Sequence, residues 1–343
     1  MNITRAFAFL ALFGAAQVQA APAFSQLYVF GDSLSDNGND LLFSKAFGGP
    51  PPLSPPYTSL VPSAPYAPFG TFSNGPVWVN AIDHLLTGGL VVPSLVPNGA
   101  PTGFAFGADF AFGGAVTGPL TGVQSTFIPT LKQQADAAVS VFGGHVPSTA
   151  LYAVWGGGND VRAADALNAS NPALAAQILT DGVNNLSAII TELANAGAKH
   201  FLVPNVPNLG LTPEALSLGL GVTGTALSTQ FDVSLAQKLP QLMSSLHIDL
   251  TAVDIFSLVT NEHDHPGNFG LTNVTDACTQ QNNNAGCANP DQFLFWDGIH
   301  PTARQQLGIA QAFSSALTVP LPGAFWLLGP AIGGLISRHR RPA

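Results

Sequence analysis

Positive charge is what this sequence lacks most. Only 8% of its 343 residues are charged, and 10 Lys and Arg stand against 19 Asp and Glu, a formal net charge of −9 at pH 7. Four of those cations, Arg5, Arg338, Arg340 and Arg341, lie at the chain ends, so the stretch between them is more acidic still. A surface of that sign repels phosphate backbones and excludes nucleic acid as a partner. Cysteine is nearly absent, with Cys278 and Cys287 the whole supply. Two thiols without spaced partners are too few ligands for a structural zinc site. His263-Asp264-His265 fits no common zinc spacing and adjoins the turn pair Pro266-Gly267, so a solvated loop without metal is expected there. An internal repeat is also missing, as is any polar linker long enough to separate domains. The roughly 300 residues between the terminal segments therefore read as one domain, residues 21–318, around one large core.

The two ends carry different signals. Arg5 precedes the apolar run Ala6 to Ala16, and Gln17-Val18-Gln19-Ala20 supplies small residues where a signal peptidase cuts, so residues 1–20 are expected to be a secretory signal peptide. Export to an oxidising compartment makes a disulfide the natural state of Cys278 and Cys287. It would close a short loop just upstream of Asp297, with a chain-entropy contribution of roughly 2 to 3 kcal/mol. At the far end, Val319-Pro320-Leu321-Pro322 is followed by an apolar stretch from Gly323 to Ile336 and a basic close of Arg338, His339, Arg340 and Arg341. That stretch falls short of the roughly 20 apolar residues a membrane span needs. Residues 319–343 resemble a bacterial C-terminal sorting tag of the PEP-CTERM type in its Val-Pro-Leu-Pro variant. The resemblance implies exosortase processing, transient membrane anchoring through the tail, and a secreted or cell-surface product of a Gram-negative envelope.

Between the ends, β-prone apolar runs are expected as strands at Phe24–Phe30, Ala108–Phe112, Ala150–Trp155, His200–Val203 and Ile248–Val253. Helical patterns separate them at Val77–Leu86, Ile128–Val141, Pro172–Ala196, Thr225–Leu246 and Pro301–Leu317. This alternation predicts an α/β fold, a parallel sheet covered by helices on both faces, with ligands at the carboxyl ends of the strands. The Pro-rich Gly48–Pro68 and the Asn-rich Gln280–Asn289 are expected as surface loops.

Four short segments fall near those strand ends and the last helix: Gly31-Asp32-Ser33-Leu34, Gly113-Gly114, Gly158-Asn159-Asp160 and Asp297-Gly298-Ile299-His300. A serine hydroxyl is a weak nucleophile that needs a base, and the base needs an anchor holding one tautomer. His300 and Asp297, three residues apart in a loop, can supply both to Ser33. A tetrahedral intermediate also needs donors aimed at its oxyanion. The candidates are the backbone N–H of Ser33, an N–H of Gly113 or Gly114, and the side-chain amide of Asn159. Taken singly, each has a bland alternative: a turn serine, a turn glycine pair, a helix-capping asparagine.

Taken together, the segments resemble the GDSL, or SGNH, esterases and lipases. Ser33 in Phe-Gly-Asp-Ser-Leu-Ser-Asp-Asn-Gly-Asn matches the nucleophile block, Asp109-Phe-Ala-Phe-Gly-Gly-Ala the glycine block, Gly157-Gly158-Asn159-Asp160 the asparagine block, and Phe295-Trp296-Asp297-Gly-Ile-His300-Pro-Thr the last. Asp109 departs from the pattern, which usually has asparagine there. The resemblance implies a three-layer α/β/α sandwich, flavodoxin-like, around a five-stranded parallel sheet, and ester hydrolysis through an acyl-enzyme without metal or organic cofactor. No Gly-x-Ser-x-Gly occurs, so the ordinary α/β-hydrolase elbow is missing. Asn273-Val-Thr-Asp-Ala-Cys278 followed by Cys287-Ala-Asn-Pro-Asp is similar to the secreted phospholipase, lecithinase and haemolysin-like branch.

The expected function is a secreted serine esterase acting on small-molecule or lipid esters. A carbohydrate O-acetyl esterase acting on exopolysaccharide and an inactive surface protein that has kept the fold are the competing readings. Acyl transfer to an alcohol uses the same machinery as hydrolysis.

Overall fold

Leu-Tyr-Val-Phe-Gly at 27–31 is apolar at every position, a pattern that only a strand covered on both sides can bury. In the computed structural model, which describes residues 24–47, 64–66, 68–87, 90–94, 107–123, 127–284 and 286–317, this segment is the central strand β1. The expected signal peptide and sorting tag lie outside the described residues.

Among the described residues, eight strands and ten helices alternate along the chain. The order is β1 (Leu27–Gly31), α1 (Asn39–Phe47), α2 (Trp78–Leu86), β2 (Val91–Pro93), β3 (Gly107–Asp109), α3 (Leu131–Val141), β4 (Leu151–Trp155), α4 (Gly158–Asn168), α5 (Pro172–Asn195) and β5 (His200–Pro204). It continues with α6 (Pro213–Ser217), α7 (Gly221–Leu246), β6 (Asp249–Val253), α8 (Ile255–Asp264), β7 (Asn273–Ala277), α9 (Gln281–Asn284), β8 (Phe293–Phe295) and α10 (Ala303–Leu317). Six strands form one parallel sheet in the order β2-β3-β1-β4-β5-β6, and β7 pairs β8 in a small parallel ribbon.

Strand residues alternate between two cores, as a period of two requires. Tyr28, Phe30, Tyr152, Val154 and Phe201 pack with Leu131, Ile178, Leu186 and Phe231 from α3, α5 and α7. Leu27, Val29, Ala153, Trp155 and Leu202 face the other way, against Trp78 and Ile82 of α2 and Ile309 and Phe313 of α10. The result is a three-layer α/β/α sandwich, as expected. Among the described residues no helix is long and apolar enough to cross a membrane.

The sheet has six strands where five were expected. The extra one, β2, is three residues long, sits at the edge and ends in Pro93, which cannot donate to a ladder and is tolerated only where no neighbour needs its N–H. Strand β3 stops its regular pairing at Asp109, three residues earlier than Ala108–Phe112 suggested. Phe110 and Phe112 still donate to the carbonyls of Val29 and Gly31 at 2.8 and 3.3 Å, so the segment tracks β1 to its end. Pro301 is not the first helical residue either. It bridges to Phe295, and α10 begins at Ala303, whose N–H donates to the Asn74 side chain at 2.7 Å. A cap borrowed from another loop replaces the local one.

Candidate active site

Glycine is required where β1 ends. A Cβ on Gly31 would lie 2.8 Å from Ser35 Oγ and 3.1 Å from the Trp155 carbonyl, so only a bare backbone lets the chain turn there. The turn is closed by the N–H groups of Ser35 and Asp36 donating to Asp32 O, each at 3.0 Å, and it leaves Ser33 at the carboxyl end of the sheet. Asp36 then does two tasks with one carboxyl. It accepts from the N–H groups of Gly38, Asn39 and Asp40 at the start of α1, at 2.8, 2.7 and 3.2 Å, and from Gly113 N–H at 3.3 Å. The first task caps a helix. The second pins the glycine loop against the serine loop.

His300 meets Ser33 across 267 residues of sequence. Its Nε2 lies 2.8 Å from Ser33 Oγ, and its Nδ1 lies 2.7 and 2.9 Å from the two oxygens of Asp297. The three residues are 6%, 2% and 0% exposed in the order serine, histidine, aspartate. Asp297 Oδ1 also accepts from the N–H groups of Ile299 and His300, both at 2.9 Å, so the tight turn at 297–300 locks the carboxyl under the ring. Tyr66 donates its hydroxyl to Asp297 Oδ2 at 3.1 Å. Phe72 packs on the imidazole with ring centroids 5.2 Å apart. The expected Cys278–Cys287 disulfide is formed, and the neighbouring Thr279 N–H donates to Trp296 O at 2.9 Å, which ties the cross-linked loop to the residue before Asp297.

The expected oxyanion donors divide. Asn159, in the first turn of α4, donates through Nδ2 to Ala115 O at 2.9 Å and accepts on Oδ1 from Arg162 Nη1 at 3.4 Å. This fixes the amide and leaves one Nδ2 hydrogen free. Arg162 is itself held by Glu214 through two bonds of 2.9 and 2.6 Å. Gly113 N–H is taken by Asp36, and a Cβ there would meet the Phe72 ring at 2.3 Å, so this glycine serves close packing. Gly114 has a positive φ of 76°, which an L side chain rarely adopts. Among the described residues neither its N–H nor that of Ser33 has an acceptor. The cavity beside Ser33 is bordered by Asp32, Asn159 and His300 but by neither glycine.

Carboxyl groups crowd the floor of the site. Burial pushes Asp32 up to about 6, partly offset by its bond from Leu34 N–H and by the neighbouring His300 and Arg162. Burial likewise pushes Asp160 up to about 7, against the bonds that Thr117 gives it. Asp109, the departure from the family pattern, is held well above the usual carboxylate range by burial and by the charge of Asp36. It accepts from Asn37 N–H and Ala111 N–H at 2.9 and 2.8 Å. A carboxyl that keeps its proton there has the shape and neutrality of the usual asparagine.

Sequence reasoning missed Tyr66, Arg162 and Glu214. Tyr66 closes the Pro-rich run read as a surface loop, and no local pattern links it to a residue 231 positions away. Arg162 was findable, since it lies three residues beyond Asn159 on one helix face. His263 and Asp264 end α8 and bond to each other at 3.0 Å, a helix terminus instead of the expected loop.

Among known proteins, the chain is similar to esterases and lipases. The sequence profile described as GDSL-like Lipase/Acylhydrolase matches residues 27–313. A GDSL esterase/lipase from Arabidopsis thaliana is 25% identical over 86% of this chain and 88% of its own length. The phosphatidylcholine-sterol acyltransferase of Aeromonas hydrophila is 28% identical over 79% of this chain and 71% of its own. A Pseudomonas putida protein described by its place in the trpE-trpG intergenic region is also 28% identical, over 89% of this chain, but the chain spans only 50% of that protein's length.

Proposed function

The chain belongs to the family of GDSL-like lipases and acylhydrolases, and with it to the carboxylic-ester hydrolases; from that premise we propose that it cleaves acyl and lipid esters through an acyl-enzyme on Ser33. The observation that carries the reading is the unbroken relay from Ser33 Oγ through His300 to Asp297, with separations of 2.8 and 2.7 Å. His300 Nε2 takes the serine proton as Oγ attacks the ester carbonyl, and Asp297 holds the opposite ring nitrogen in its protonated form. The oxyanion receives the N–H groups of Ser33 and Gly114 and the free Nδ2 hydrogen of Asn159. Each such donor is worth about 3 to 4 kcal/mol in related chemistry. Collapse breaks the ester bond, His300 returns the proton to the departing alcohol, and water attacks the acyl-enzyme by the same path.

Mostly apolar walls on the cavity beside Ser33, among them Leu34, Leu209, Ile255 and Leu294, favour a hydrocarbon arm over a sugar. The similarity to an acyltransferase that its name assigns to phosphatidylcholine supports lipid esters in the same way. Export belongs to this proposal too: the Arg5-led apolar leader and the Pro-containing, basic-ended tail support a secreted or cell-surface enzyme processed by an exosortase. Purified protein should release acid from phospholipid or triglyceride more readily than acetate from acetylated glycan, and Ser33→Ala should abolish release. Undiminished release by that variant, against a clean blank, refutes the proposal.

A further inference from the structure

The cavity beside Ser33 is not apolar throughout. Glu262 on α8 and Gln305 on α10 both line it, and each is only 4% exposed. Neither is matched by the protein. Gln305 Nε2 is buried without a hydrogen-bond partner, and among the described residues Glu262 makes no hydrogen bond or ion pair. The two helices face each other here: a Cβ built on Gly308, three residues along α10 from Gln305, would lie 3.6 Å from a Glu262 carboxyl oxygen. That is ordinary van der Waals contact, so the α10 backbone passes close beside the carboxyl without bonding to it. Unmatched buried polar groups destabilise a fold, and proteins retain few of them without a use.

We propose that Glu262 and Gln305 form a polar subsite within the cavity, one that recognises a hydroxyl group on the ester arm lodged there, so that preferred substrates are esters of hydroxylated acids or of diols. This rests on the ester-hydrolase reading and names its substrate class. A hydroxyl donates and accepts at once, so it answers both the carboxyl and the amide. An ammonium would leave the amide N–H unmatched, and a methyl group would leave both groups so. Burial pushes the Glu262 carboxyl up to about 7, which agrees with a site left without a partner until a ligand arrives.

Acid release in a pH-stat tests this on ester pairs matched in length from butyl to octyl. Ethyl alkanoates are set against ethyl ω-hydroxyalkanoates, and alkyl acetates against ω-hydroxyalkyl acetates. At the best length, one hydroxylated series should exceed its plain counterpart in kcat/KM by about tenfold or more. Replacing both side chains, Glu262→Leu with Gln305→Leu, should reverse that order, whereas Glu262→Gln should keep it. If wild type never favours the hydroxylated member of either pair, the subsite is refuted, and that comparison needs no variant. Failure of the underlying reading looks different: no release from any of the four series that Ser33→Ala abolishes, in which case both fall.

Discussion

Phe72 packs between the His300 imidazole, which Asp297 holds, and a cluster of other buried carboxyls, and the two sides are treated in opposite ways. On one side Asp297 accepts from two backbone N–H groups, a tyrosine hydroxyl and an imidazole. On the other side Asp36, Asp40 and Asp109 lie together beneath the serine loop, with a Cβ on Gly113 falling between the Phe72 ring and an Asp40 oxygen. There Asp36 collects four backbone donors, Asp40 keeps one oxygen without a partner, and burial together with the charge of Asp36 pushes Asp40 and Asp109 upward. All four side chains are essentially inaccessible, so burial does not separate their roles. Their partners do. A carboxyl given a histidine can serve a reaction, and carboxyls given backbone N–H groups and each other shape the loops that present it.

The sharpest way to break this contrast is to remove one member of the relay. Ser33→Ala or His300→Ala should cost roughly a thousandfold or more in kcat on a p-nitrophenyl ester, with Tm little changed. Asp297→Asn should approach that loss while binding substrate normally, because the amide admits the wrong imidazole tautomer. If Asp297→Asn retains about a tenth of wild-type kcat, the two acidic groups are not as different as proposed. Asp36→Ala acts on the other side: it should cost about 3 kcal/mol in denaturant unfolding by uncapping α1 and freeing Gly113, and any activity lost should follow the folded fraction.

Smaller effects refine the comparison. Tyr66→Phe removes one donor from Asp297 and should lower kcat a few-fold, about 1 kcal/mol, with KM unchanged. Asp109→Asn reads the acidic cluster through pH. A carboxyl raised on folding keeps its proton in the folded chain where the unfolded chain has lost it, so its contribution is full below the unfolded value near 4 and is lost as pH climbs through the folded value. Wild type should thus melt lower at about pH 8 than at about pH 5, Asp32 and Asp160 contributing alongside Asp109. Asp109→Asn should flatten that decline, because the amide has no proton to lose as pH rises. An equal or steeper decline in the variant would mean Asp109 is ionised.

Much of this was legible in one dimension because parallel sheets gather strand ends. With β1, β3 and β4 as apolar runs, the segments after them must converge, and Ser33 and Gly114 on their loops and Asn159 in the first turn of α4 lie at the same edge of the sheet for that reason. The last block, Asp297 to His300, needed the final helix to return to the same edge, which its amphipathic pattern allowed. Other features left no local trace. β2 is too short to show a period, and α4 opens on Gly158-Asn159-Asp160, residues that read as a turn. What separates Gly113 from Gly114 is the bond that Gly113 N–H gives to Asp36, a distant contact that no spacing reveals. The bond from Tyr66 to Asp297, and the sharing of one cavity by Glu262 and Gln305, are products of packing between elements far apart in the chain.

The central claim is that Ser33 is an activated nucleophile. Intact-protein mass spectrometry after brief exposure to a fluorophosphonate tests it most directly. The account predicts one phosphonyl adduct, mapped to Ser33, missing in Ser33→Ala and forming far more slowly in His300→Ala. No adduct on the folded protein, or an adduct that persists at another residue in Ser33→Ala, would contradict it.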